Sequence, residues 1–112
     1  MTDTTTQPER EILLALTNAV EGREDEFRDW YWGTHIPEIL ALPGFLSARR
    51  YRATGPDAGA PHRYVTLYEV EGSAEEARTA LFTAGLSSSD ALDVSSVVML
   101  PLAQGADVSI GS

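Results

Sequence analysis

The stretch "FLSARRYRATGPDAGAPHRYVTLYEV", residues 45–70, holds two strand patterns and the loop between them. Residues 45–54 and 62–70 alternate and carry aromatic or branched side chains, which suit a pleated, half-buried strand. The connector "GPDAGAP", residues 55–61, reads as a Gly/Pro loop, so the two strands are expected to be antiparallel neighbours. On the second strand Val65 and Leu67 fall on one face, and Tyr64, Thr66 and Tyr68 on the other. Neither face is strongly charged. Both are therefore expected to be covered, one by helices and one by a second subunit.

Working outward, "EILLALTNAV" at residues 11–20 is an apolar run without helix caps and reads as a buried strand. After Gly22, the acids Glu24, Asp25 and Glu26 cluster where a first helical turn would favour negative charge. Phe27, Trp30 and Tyr31 then recur at i, i+3, i+4 as one apolar stripe. This helix is expected to stop near Gly33. A second short helix, "PEILAL", is expected to carry Pro37 in its first turn and to end at the Pro43–Gly44 turn. Downstream, Ser73 and Glu76 fit a capping box, with Ala74, Ala77, Leu81 and Ala84 as the inward stripe. Residues 94–103 close the chain as a last strand, whose Pro101 implies an edge position or a bend. The order is βαββαβ. It predicts an α+β, ferredoxin-like domain, with a four-stranded antiparallel sheet and two helices on one face.

The chain has 112 residues, 43% of them hydrophobic, which suits one domain with a small core. Residues 11–103 form that domain, and the tails 1–10 and 104–112 are expected to be mobile. Seventeen acidic against eight basic residues, a net charge of −9, disfavour nucleic acid as a partner. The absence of cysteine excludes disulfides and thiolate chemistry. No apolar run approaches the roughly 20 residues of a membrane span. The polar, acidic N-terminus is not a signal peptide, so a cytoplasmic location is expected.

Residues 25–52, "DEFRDWYWGTHIPEILALPGFLSARRYR", followed by "YVTLYEVEG", resemble the dimeric α+β barrel superfamily, nearest its EthD-like branch and small relatives. Members of that branch often show an acidic-F-x-x-W/Y-x-x-x-H-x-P pattern, then a Pro-Gly turn and an Arg-rich strand. The resemblance spans about residues 11–103. It implies a homodimer whose sheets pack face to face, and a ligand cleft between each sheet and its own helices. The superfamily hosts isomerases, cyclases, decarboxylases (lyases), cofactor-free monooxygenases and haem enzymes, so it does not name a reaction.

His35, placed at a helix break, is the candidate catalytic base, because imidazole exchanges a proton near neutral pH. In some enzymes of the resembling family the matching histidine is an acid or base. Here the alternative is a histidine that caps the helix or bonds a loop carbonyl. Tyr68 or Tyr64 are the candidate oxyanion partners, against simple sheet packing. Trp30, Trp32, Asn18, Arg49 and Tyr51 are candidates for contacting a hydrophobic small molecule. Against that, Trp30 is core in the alternative reading, Trp32 covers a dimer edge and Asn18 marks a strand end. Arg49 and Arg50 point to opposite faces, so at most one meets the ligand. His62 is expected to be exposed. Two histidines without a suitably spaced acid make no metal site, so no metal is expected. The resemblance to the EthD-like rather than the haem-degrading branch implies no tight haem binding, neither histidine being an obvious axial ligand, and no organic cofactor is expected. The function read from all this is cofactor-independent proton transfer next to a carbonyl: isomerisation, cyclisation or decarboxylation of a hydrophobic oxygenated, aromatic or polyketide-like molecule. A cofactor-free monooxygenase and a non-catalytic ligand-binding or interaction module are the alternatives.

Overall fold

A computed structural model describes residues 10–56 and 62–103. The expected mobile tails, apart from Arg10, lie outside the described residues, as does most of the 55–61 connector. Four strands, β1 (Glu11–Thr17), β2 (Phe45–Arg52), β3 (Tyr64–Val70) and β4 (Val98–Leu102), form one antiparallel sheet in the order β2-β3-β1-β4. The arrangement is compatible with a ferredoxin-like fold. The first helical segment comprises α1 (Glu24–Trp30), a π turn (Tyr31–His35) and α2 (Ile36–Leu40); α3 spans Ala74–Thr83. A 3₁₀ turn, Val94–Ser96, occupies the start of what the sequence suggested was strand. Pro101 sits in β4 at the edge of the sheet, where its missing N–H leaves no ladder bond unmade.

The expected helix stop at Gly33 does not occur. Gly33 is helical and has open space where a Cβ would stand, so nothing in its backbone demands glycine. The apolar stripe instead slips by one residue. Phe27 and Tyr31 are four apart, Tyr31 and Ile36 five, Ile36 and Ile39 three, and all four are buried. A regular α-helix would carry the fifth residue off the core face. A π turn holds one residue more per turn, and the Ile36 N–H bonds the Tyr31 carbonyl five residues back. The stripe thereby stays on the sheet. The turn before β2 does require glycine, since Gly44 has φ +90°.

The helices cover the face formed by Leu13, Ala15 and Thr17 of β1 and Tyr64, Thr66, Tyr68 and Val70 of β3, all buried. Full burial of a ring such as Phe27 contributes about 1.5–3 kcal/mol. On α3, Ser73 accepts the Glu76 N–H as an N-cap, and Ala74 and Leu81 are buried. Ala84 is exposed, a correction to the expected stripe: it follows the last helical residue and has turned off the sheet. The opposite sheet face pairs Leu14 with Leu67 and Leu100, Leu16 with Val65 and Val98, and Ile12 with Leu102. Among the described residues, no second layer covers this aliphatic face. Leu100 and Leu102 are 43% and 40% exposed.

Candidate functional site: two clefts beside one helix

The π turn decides where His35 goes. On a turn with one extra residue, positions i and i+5 stack, and the His35 ring lies on Trp30 with centroids 4.5 Å apart and planes 21° from parallel. The edge of Tyr31 closes the other side at 5.3 Å. His35 and Trp30 thus face the flank of the helix toward α3 and β4. There they line a cleft of about 310 Å³ with Leu81 and Phe82 of α3, residues 85–88, Leu92, Val94, Val97 and Met99. Ser87 and Ser88 supply the only side-chain hydroxyls on its wall among the described residues.

A chain of polar contacts ties the wall together. Trp30 Nε1–H donates to Ser87 Oγ at 3.1 Å, and the Ser87 hydroxyl donates to Glu38 Oε1 at 2.7 Å. The Ser87 bond is also the main reason the Glu38 carboxyl sits below its ordinary pKa. Glu38 Oε1 lies 3.6 Å from His35 Nδ1, close enough to attract an imidazolium but too far for a hydrogen bond. Nδ1 is buried and has no hydrogen-bond partner among the described residues. Burial lowers the His35 pKa, and Glu38 opposes that shift without cancelling it. The ring is therefore neutral at pH 7.

On the opposite flank, Glu24, Arg28 and Trp32 face the ends of β2 and β3. A cleft of about 420 Å³ is lined by Glu24, Arg28, Arg52, residues 53–55, Arg63 and Tyr64. It adjoins a second hollow of about 390 Å³ that shares Arg28 and Arg52 and adds Trp32, Arg50 and Tyr51. The Arg50 guanidinium lies 4.7 Å from the Trp32 ring centre. Arg28 donates to Tyr64 Oη at 3.0 Å and pairs with Asp25. Arg63 donates to Asn18 Oδ1 at 2.8 Å and to Glu24 at 3.2 Å.

The expected site residues are thus distributed rather than gathered. Trp30 and His35 share the apolar cleft. Tyr64, Asn18 and Trp32 belong to the arginine-lined flank, Asn18 just beyond the end of β1. Arg49 lies on the open sheet face, and Tyr51, 50% exposed, stands where that face meets the arginine flank. Tyr68 lines neither cleft. It is fully buried, its hydroxyl 3.4 Å from that of Tyr31, and burial drives its pKa far up. The expected pairing of His35 with Tyr68 or Tyr64 is therefore not what the fold assembles: both are inward positions of β3, Tyr68 buried beneath the helix and Tyr64 on the opposite flank from His35. His62 is half-buried instead of exposed, with Nε2 2.9 Å from the Ser96 carbonyl.

Sequence reasoning missed Glu38 and Ser87. Glu38 was findable, because i+3 from His35 places it on the same helical face. Ser87 arrives from the loop after α3 and carries no local signal. No protein-family model matches this chain, and neither a curated protein nor a solved structure is found to be similar to it.

Proposed function

We propose that this chain is a homodimeric, cofactor-independent enzyme of the dimeric α+β barrel kind, akin to its EthD-like branch, that moves a proton next to a carbonyl in a hydrophobic substrate. The observation that carries this reading is a neutral His35 on the wall of an apolar cleft, with its buried Nδ1 aimed at a carboxylate. A small ring rotation brings Nδ1–H onto Glu38. Nε2 then keeps its lone pair and acts as the base, in the manner of a carboxylate-oriented histidine. The substrate's C–H bond breaks, the proton passes to Nε2, and the electron pair moves onto the carbonyl oxygen. Return of the proton to another carbon completes an isomerisation. Ser88 lines the same wall, and in this reading its hydroxyl donates to the enolate oxygen.

Solvent-exchange NMR tests this without knowledge of the natural substrate. Aromatic β-dicarbonyl compounds incubated in D₂O should exchange their acidic C–H faster with the protein present. His35→Asn should keep the melt and lose about 10²–10⁴ of that acceleration. Equal exchange by the variant would overturn the assignment. Binding of the same compounds with no acceleration by the wild type would favour a binding module, a reading the mostly apolar wall also suits. The dimer rests on the open aliphatic face, a contiguous apolar surface of the kind that marks association sites. Sedimentation should give about twice 12.1 kDa, and Leu67→Asp should give a monomer.

A further inference from the structure

We infer that the flank of α1 opposite His35 is a binding site for a small oxyanion, a carboxylate or a phosphate. It rests on the arginine cleft alone and stands or falls separately from the His35 reading. All eight Lys/Arg positions of this acidic chain are arginines, and three of them, Arg28, Arg52 and Arg63, line one cleft with Glu24 on its wall and Asp25 paired to Arg28. A chain with a net charge of −9 thus carries its local positive potential at this cleft.

The contacts made there fix the guanidinium groups without exhausting them. Arg63 uses Nε on Asn18 and one terminal nitrogen on Glu24, leaving Nη1 without a bond among the described residues. Arg28 is held by Tyr64 and Asp25. Tyr64 accepts from Arg28, so its own O–H remains to be given. Arg52 is exposed and makes no hydrogen bond or ion pair among the described residues. Two fixed forks, a free one and a phenolic donor are what a planar or tetrahedral oxyanion takes up in bidentate fashion. The adjoining Trp32, already under Arg50, offers a flat surface to the organic part of such a ligand.

The test is NMR of the arginine Nε–H and tryptophan indole signals of the full chain. It is titrated with inorganic phosphate and, separately, with citrate, with ionic strength held constant by chloride. Saturable shifts of Arg28, Arg52, Arg63 and Trp32, with Trp30 unmoved, are expected. Phosphate alone, or citrate alone, would name the anion. Arg52→Gln should weaken the binding about tenfold or more, the usual cost of one charge-assisted bond. Arg10→Gln, the same charge change at the far end of the sheet, should not. Linear, unsaturable shifts with both anions would overturn the site. So would equal weakening by the two variants, which would reduce the effect to net charge. Arg52 has no side-chain partner to lose among the described residues, so the Arg52→Gln variant should melt like the wild type. A folded Arg52→Gln protein that still bound at full strength would also overturn it.

Discussion

On one flank of α1, Trp30 and His35 look across a cleft at leucines, a phenylalanine and a methionine. On the other, Glu24, Arg28 and Trp32 look at arginines and a tyrosine. The two flanks share a floor, Phe27 and Tyr31, and a sheet. Their chemistry differs because their neighbours across the sheet differ. The His35 flank meets α3 and the β4 edge, whose helix-side residues are aliphatic. The other meets β2 and the end of β3, where Arg50 and Arg52 come up on the helix side and Arg63, just before β3, reaches Glu24 of α1. One short helix thus separates a mostly apolar cleft from a charged one. A neutral histidine suits the first, where burial disfavours its charged form. Guanidinium groups suit the second, where solvent keeps them charged.

The sharpest way to break this contrast is to remove the π turn. Deleting Gly33 would let Phe27, Tyr31, Ile36 and Ile39 recur at the spacing of an ordinary α-helix, so the core stripe survives. His35 would no longer stack on Trp30. The expected outcome is a cooperative melt, phosphate shifts retained on the arginine flank, and loss of about 10²–10⁴ in histidine-dependent proton exchange. Full exchange by the deletion variant would show that the π turn does not place the base. As a control, Gly33→Ala keeps the residue count, meets open space and should stabilise the helix by about 0.5–1 kcal/mol.

The shared floor gives the next largest effect. Phe27 is fully buried and touches both sides, its ring centre 6.5 Å from Trp30 and 4.9 Å from Tyr64. Phe27→Ala should cost about 3–5 kcal/mol in urea-melt stability and should weaken both clefts together. Phe82→Ala, at the 61% exposed rim, should disturb ligand binding only on the His35 flank and leave the melt nearly unchanged. If Phe27→Ala spared one flank, the floor would not be common.

These contrasts also show what could be read from the chain. The strand pair 45–54 and 62–70, the separation of Tyr64, Thr66 and Tyr68 from Val65 and Leu67 onto opposite faces, and the edge position or bend at Pro101 follow from period-two alternation and proline's missing donor. Both are local facts. The helix was readable up to Tyr31 and then misread, because glycine and proline are ordinary stop signals and a π turn has no propensity of its own. It exists because Ile36 and Ile39 must reach the sheet, a tertiary demand invisible in a short window. His35 stood out by residue type. Its partners did not: Glu38 needed the helix to continue, and Ser87 comes from a loop 49 residues away from Glu38. The arginine flank was read only as a strand with alternating charges. That Arg28 and Arg63 join Arg52 there depends on how the helix sits across β2 and β3.

A gentler probe of the same contrast is pH. Burial holds the His35 pKa below its ordinary 6.5, so the unfolded chain takes up that proton more readily than the native one. Stability should fall as pH drops below about 6.5, and the loss should level off beneath the folded value. Glu24 and Glu38, held below the ordinary 4.5, lose their contributions only as pH falls from there through their own lower values. The window between the two is where His35 is read out. Urea melts across it should slope in the wild type and flatten in His35→Asn. An equal slope in both would place the titrating group elsewhere.

The smallest expected effect lies on the charged flank. Arg50 over Trp32 is a solvent-side cation–π contact, worth about 0.5–1 kcal/mol at an exposed position. Trp32→Leu keeps apolar bulk at a half-buried site but removes the ring face, so stability should drop by about that amount. Arg50→Gln should lose a similar amount, and the double variant little more than either alone, since both changes delete one interaction. Proton exchange at His35 should not respond, because Trp32 faces the other cleft. A response there would mean that the flanks are coupled through the π turn that carries both residues, and the separation drawn between them would fail at that point.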